Sequence, residues 1–240
     1  QKQLAAVPQL QQLFLTRGLV ILDGTNESTE WLDTQAPIAN TVPFEQRPLI
    51  ESDHYVFNAN DSYWLSDPDN PATGFSPLYG PTASPRSLRT RMNIELLRPD
   101  STFNYAGEDA RFNMDEIQSA LFGNDSLSAK LLLPELLNAC KESPKRLVNE
   151  QSIDISASCN VLAAWDGKFD IESRGAVLFR EWITRYPAAQ ITLGNALFAE
   201  SFDPANPVAT PNGLANPQKA LDNLAAAQRL LTNNNIALDV

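Results

Sequence analysis

The run Asn58-Ala59-Asn60-Asp61 holds the residues best suited to chemistry in this chain. A rigidly held Asn amide can donate N–H bonds to an oxyanion forming on an attacked carbonyl. Losing one such donor costs about 2.7–4 kcal/mol. The same side chains also close Asx turns without touching a substrate, and composition alone favours the turn. His54 is the only histidine, and neighbouring Asp53 could orient it as a base. A lone His beside a strand is more often structural. Asp61, Asp67 and Asp69 offer a calcium-friendly set of oxygens, but they lack the Gly at position six and the Glu at position twelve of an EF-hand loop. Turn-forming acids in a proline-rich loop are the plainer reading. Cys140 and Cys159 would enclose a loop of about 20 residues and, as a disulfide, add roughly 3 kcal/mol. They could equally be two buried thiols, and both readings stay open.

Elements must hold these residues in place. Leu10-Gln11-Gln12-Leu13-Phe14-Leu15 has the spacing of a short helix, and Gly18–Leu22 reads as a buried strand followed by a turn at Asp23–Asn26. Prolines at 37, 43 and 48 predict extended, irregular backbone. His54-Tyr55-Val56-Phe57, β-branched and aromatic, predicts a short strand ending in the polar turn 58–62. Five prolines between residues 67 and 86 predict a long loop, which is uncommon unless functional. Ser87–Leu97 reads as a helix or its beginning. Asn113-Met114-Asp115-Glu116 has capping-box spacing before Ile117, Ala120 and Leu121. Leu127, Leu131, Leu132, Leu136 and Cys140 continue at helical spacing, with Pro134 near a helix start or kink. Ala176, Phe179, Trp182, Ile183 and Tyr186 mark an amphipathic helix that stops before Pro187. The last helix starts at Asn216-Pro217 and carries an apolar stripe of Ala220, Leu221, Leu224, Ala227 and Leu231. The class is α+β, with strands early and a helix-rich second half. The division falls into a strand-containing segment, 1–107, and a helix-rich segment, 108–240.

Composition narrows the function. The 240 residues carry a formal charge of −11, with 43% hydrophobic and 20% charged residues, the balance of a globular chain. The acidic excess argues against nucleic acid, which needs clustered Lys and Arg to displace counterions from phosphates. One His and two Cys are too few for most zinc frameworks, and no apolar run is long enough to cross a membrane as a helix. Nucleophile-elbow, phosphate-loop and dinucleotide fingerprints are all missing from the sequence.

Four blocks in order carry a resemblance. They are Asp23-Gly24-Thr25 with Glu30-Trp31, then Tyr55-Val56-Phe57-Asn58-Ala59-Asn60-Asp61-Ser62-Tyr63-Trp64-Leu65, then Ser87-Leu88-Arg89-Thr90-Arg91, and finally Ala164-Trp165-Asp166-Gly167 with Gly175-Ala176-Val177-Leu178-Phe179. Together they resemble the penicillin acylase family of N-terminal-nucleophile hydrolases, nearest the acyl-homoserine-lactone and aculeacin acylase branch. The resemblance implies part of a four-layer αββα fold. It also implies an amide hydrolase in which an N-terminal Ser attacks an acyl carbonyl with its own α-amine as base. Carried over residue by residue, Asn60 matches the family's oxyanion Asn and Arg89 the arginine that positions the centre, with Asn58 and Arg91 structural.

Gln1 is no nucleophile, so the resemblance places the Ser outside these residues. The chain then reads as an internal piece of an acylase β-subunit, without acylase activity alone. The remaining β-subunit, an α-subunit and a small N-acyl substrate are its implied partners. No cofactor is implied, although a structural calcium in the parent is compatible, and the expected location is periplasmic or secreted. The alternative reading is a catalytically silent relative or a binding module of the same fold.

Overall fold

The computed structural model describes residues 25–26, 38, 41–148, 151–187, 191 and 197–240. The expected helix at Leu10–Leu15 and strand at Gly18–Leu22 lie outside these residues. Two units divide the described chain. In the first, formed by the described residues up to Leu49 and by Thr73–Tyr79, the backbone makes the 3-10 turns Phe44–Gln46 and Pro77–Tyr79. There the Ser76 N–H donates to the Gln46 carbonyl at 2.8 Å, and the Arg47 guanidinium lies 4.6 Å from the centre of the Phe44 ring.

The second unit, Ile50–Ala72 with Gly80–Val240, contains the helices and sheets. Helix α1 spans Leu88–Leu97, with the Ser87 hydroxyl accepting the Thr90 N–H as its cap. Helix α2, Met114–Phe122, begins in a full capping box. Asn113 accepts the N–H groups of Asp115 and Glu116, and Glu116 accepts the Asn113 N–H in return. None of its residues is buried, and Met114, Ile117, Leu121 and Phe122 are exposed. Helix α3 runs unbroken over sixteen residues, Leu127–Glu142. Pro134 therefore sits inside this helix rather than at its start. The missing N–H costs up to about 3 kcal/mol. Burial of Leu132 and Leu136 on either side offsets it, each side chain contributing about 1.5–3 kcal/mol.

Strands β1, Lys145–Val148, and β2, Gln151–Asp154, form an antiparallel hairpin with Lys145 opposite Asp154. Helices α4, Ser156–Ala164, and α5, Ala176–Ile183, follow. A second antiparallel pair, β3 (Phe198–Glu200) and β4 (Asn212–Leu214), sets Phe198 opposite Leu214. Helix α6, Pro217–Asn233, starts with the Asn216 side chain accepting the Lys219 N–H at 2.9 Å, and its whole apolar stripe is buried. The combination of helices with small antiparallel sheets is α+β.

The expectation of a strand at His54–Phe57 needs correction. All strands among the described residues lie beyond Pro144. His54–Phe57 is extended but forms no ladder, and its Phe57 N–H reaches the Ser66 carbonyl at 3.1 Å within an irregular loop. β-branched and aromatic content suits a pleated surface, but a strand also needs a neighbour for its backbone groups.

The core lies where α3, α4, α5 and α6 meet the β3–β4 hairpin. Trp165, Phe179, Trp182 and Tyr186 pack in sequence, with ring centres 4.8, 5.2 and 5.7 Å apart. The buried Trp182 indole N–H donates to the Ala220 carbonyl at 3.0 Å. Cys140 on α3 and Cys159 on α4 are bonded as a disulfide with Cα atoms 6.0 Å apart, which closes the question left by the sequence. Among the described residues, no helix is long and apolar enough to cross a membrane.

Candidate active site

Residues 58–62 make a tight loop held by its own side chains. Asn58 Oδ1 accepts the Asn60 N–H at 2.8 Å, and Asn58 Nδ2 donates to the Asp61 carbonyl at 3.1 Å. Asn58 thus forms the Asx turn expected of the run. Asn60 does not. Its backbone is left-handed, with φ 58°, a conformation that Asn tolerates better than most residues. That turn leaves its side chain exposed and pointing toward helix α1.

Arg89, in the first turn of α1, meets it there. Arg89 Nη1 donates to Asn60 Oδ1 at 2.9 Å and to the Ala59 carbonyl at 3.0 Å. The two candidate residues, 29 positions apart, are therefore directly bonded. A guanidinium can only donate, so the Asn60 oxygen must face it and the NH₂ must face away. Among the described residues, Asn60 Nδ2 has no hydrogen-bond partner.

Behind this exposed pair is a less exposed knot that sequence reasoning missed. The Asp61 carboxylate accepts from Arg86 Nη1 at 2.6 Å, from the Ser62 N–H at 2.7 Å and from Thr90 Oγ1 at 2.7 Å. Arg86 is only 4% exposed and Asp61 24%. Burial pulls the Arg86 pKa below its ordinary value, while Asp61 pushes the other way. Arg86 also reaches the Ser84 carbonyl and hydroxyl, and its guanidinium lies 5.9 Å from the Trp64 ring centre. Arg86 stands just ahead of the Ser87 cap and Thr90 in the first turn of the helix, and no local spacing in the sequence pairs either with Asp61.

Arg91 has a different task. It is 1% exposed, and its three guanidinium nitrogens donate to the carbonyls of Val208, Pro211 and Ala209 at 2.9, 2.8 and 3.1 Å. Burial lowers its pKa to about 10, which leaves it charged at neutral pH. It anchors the 208–211 loop and does not reach Asn60.

The aspartate cluster does not assemble as calcium ligands. Asp61 is committed to Arg86 and Thr90, and Asp67 Oδ1 accepts the Asp69 N–H at 3.1 Å in a turn. Among the described residues, no group of three His, Cys, Asp or Glu is placed to hold a metal. His54 is exposed, and its backbone N–H bonds to the Ser52 hydroxyl, with no Asp53 contact of the kind a general base would use.

Comparison with known proteins adds four likenesses. The penicillin amidase family model matches residues 2–239. An acyl-homoserine lactone acylase PvdQ of Pseudomonas putida is 33% identical over 211 residues, covering 86% of this chain and 24% of that protein. Aculeacin-A acylase of Actinoplanes utahensis is 31% identical over 214 residues, covering 86% and 26%. A PvdQ acylase of Pseudomonas savastanoi pv. phaseolicola is 30% identical over 206 residues, covering 84% and 24%. The chain spans about a quarter of the length of these relatives.

Proposed function

The chain belongs to the penicillin amidase family, and on that premise we propose that it is the part of an N-acyl amide hydrolase that binds the oxyanion. Asn60 Nδ2 donates to the oxygen of the tetrahedral intermediate, and Arg89 holds the amide that does so. The observation that carries this reading is the 2.9 Å bond from Arg89 to Asn60 Oδ1, because it turns the donor end of an exposed amide outward. A donor fixed before the reaction needs no reorganisation when charge develops, which is the source of its effect on rate.

In this reading the nucleophile is an N-terminal Ser contributed by another part of the acylase. Its α-amine takes the hydroxyl proton as Oγ adds to the acyl carbonyl. The intermediate collapses to an acyl-enzyme, and the amine leaves with the proton. Water then cleaves the ester and the acid departs. The substrate is an N-acyl amine, of the acyl-homoserine-lactone, lipopeptide or penicillin type. The PvdQ and aculeacin relatives lean the choice toward the first two.

The chain takes its place in a four-layer αββα fold of the N-terminal-nucleophile hydrolases, both segments, 1–107 and 108–240, within one β-subunit. The remaining β-subunit and an α-subunit are its partners. The exposed apolar side of α2 supports such a partner. No cofactor takes part, and any calcium belongs to other regions of the parent. The Cys140–Cys159 disulfide supports export to the periplasm or beyond, where thiols stay oxidised.

The test is Asn60→Ala in the whole acylase, followed by release of amine from a long-chain N-acyl homoserine lactone. The turnover number should fall by about 10²–10³, with KM little changed. Wild-type turnover would remove Asn60 from the mechanism, and an inactive wild-type parent would favour the silent reading.

A further inference from the structure

We infer that Asp61 is a positioning residue for the oxyanion amide: its carboxylate, clamped by Arg86 and Thr90, sets where Asn60 stands relative to Arg89. The inference rests on the roles given above to Asn60 and Arg89.

Two consecutive loop residues bond to two consecutive helix residues. Asn60 meets Arg89 at 2.9 Å and Asp61 meets Thr90 at 2.7 Å. These two contacts are not equal. The Arg89–Asn60 pair is exposed, so water competes for both groups and the bond is weak alone. The Asp61 carboxylate is three-quarters covered and accepts three hydrogen bonds, one of them from a guanidinium only 4% exposed. The stiff tether is therefore the second, and the rigid peptide plane between residues 60 and 61 passes its position to Asn60.

Proton bookkeeping fixes the direction of the knot. An ionised carboxylate only accepts, so the Thr90 hydroxyl proton points to Asp61 Oδ2. The Ser87 hydroxyl, 3.0 Å from Thr90 Oγ1, then donates to Thr90 while accepting the Thr90 N–H at 3.1 Å. Helix cap and loop tether are thereby one connected network. Asn60 is also held from behind by Asn58, so the Asp61 contact completes a loop constrained on both sides of the amide.

The test uses the whole acylase carrying Asp61→Asn, and separately Thr90→Val and Thr90→Ser, each on the wild-type and the Asn60→Ala backgrounds. Misplacing a catalytic group by about 1 Å costs up to about 100-fold in rate, so kcat should fall about 10- to 100-fold in Asp61→Asn and Thr90→Val. KM should stay within about twofold, and Thr90→Ser should restore most of kcat by restoring the hydroxyl. On the Asn60→Ala background neither loss should recur, because nothing is left to position. Unchanged kcat, an equal loss on both backgrounds or no rescue by Thr90→Ser would overturn the inference. If Asp61→Asn does not fold, Thr90→Val and Thr90→Ser decide alone, since both leave the Arg86 ion pair in place. Asn60→Ala at wild-type turnover fails the oxyanion reading itself. Asn60→Ala impaired with Asp61→Asn and Thr90→Val unimpaired fails only the positioning role.

Discussion

Replacing Gly80 by Ala should disturb the Asn60 loop from outside it. Gly80 has φ 112°, a conformation that costs a residue with a side chain about 1–3 kcal/mol. A methyl built there would stand 2.6 Å from Ser62 Cβ and 2.7 Å from Ser62 Cα. Carbon atoms settle at about 3.5–4.0 Å, so one side must retreat by about 1 Å. Overpacking of that size costs about 1–3 kcal/mol, which gives a total of about 2–6 kcal/mol when added to the strain. Ser62 is buried, and its hydroxyl accepts the Trp64 N–H at 3.2 Å, so it has little room to yield. It also follows Asp61 directly, and a shift there reaches Asn60 through two peptide bonds. Gly167→Ala is the matched control: φ is 77°, but nothing lies within 4 Å of the added methyl. It should cost only the conformational penalty, about 1–2 kcal/mol. Urea unfolding of both variants measures the energies, and acylase turnover measures the displacement. Equal destabilisation by the two substitutions, with turnover intact in Gly80→Ala, would refute the steric argument.

Other outcomes follow from the same structure. The double substitution Cys140→Ser with Cys159→Ser should lower the unfolding free energy by about 3 kcal/mol, seen as a lower urea midpoint; no shift would mean that α3 and α4 stay ordered without the bond. Burial pushes the phenols of Tyr55, Tyr105 and Tyr186 up to about 12, helped at Tyr105 by its hydrogen bond to Asp125. Their folded values lie above the ordinary 10, so this stabilisation is complete below pH 10 and is lost as pH rises toward 12. Absorbance of the ionised phenols should show these three titrating late in the folded protein and normally in denaturant; identical curves would contradict their burial.

The parts of the fold that were legible are those written in neighbouring residues. The capping box at Asn113–Glu116 and the Asn216-Pro217 start of α6 each need only one turn of helix to operate. The buried stripe of α6 repeats at the helical period and could be read directly. His54–Phe57 failed because composition cannot supply the neighbouring strand that a ladder requires. The hairpin β1–β2 escaped notice for a related reason: Lys145–Val148 and Gln151–Asp154 are four residues each, and neither alternates polar with apolar residues. At the site, Asn60 and Arg89 were named through resemblance, whereas Asp61 passed for a turn acid. Its real partners stand 25 and 29 residues away, and no local pattern announces an ion pair of that range.

The start of helix α1 has a consequence for how this segment tolerates change. Within six residues, Arg86 and Thr90 address Asp61, Arg89 addresses Asn60, and Arg91 addresses the 208–211 loop. Arg86 stands ahead of the Ser87 cap, and from Arg89 to Arg91 the helix aims successive side chains by turning about 100° at each residue. A conservative exchange weakens one line of contact and leaves the others aimed. Insertion or deletion of a single residue between Arg86 and Arg91 turns every later side chain away from its target at once. The segment therefore works like the bit of a key: individual teeth can wear, but their spacing cannot change.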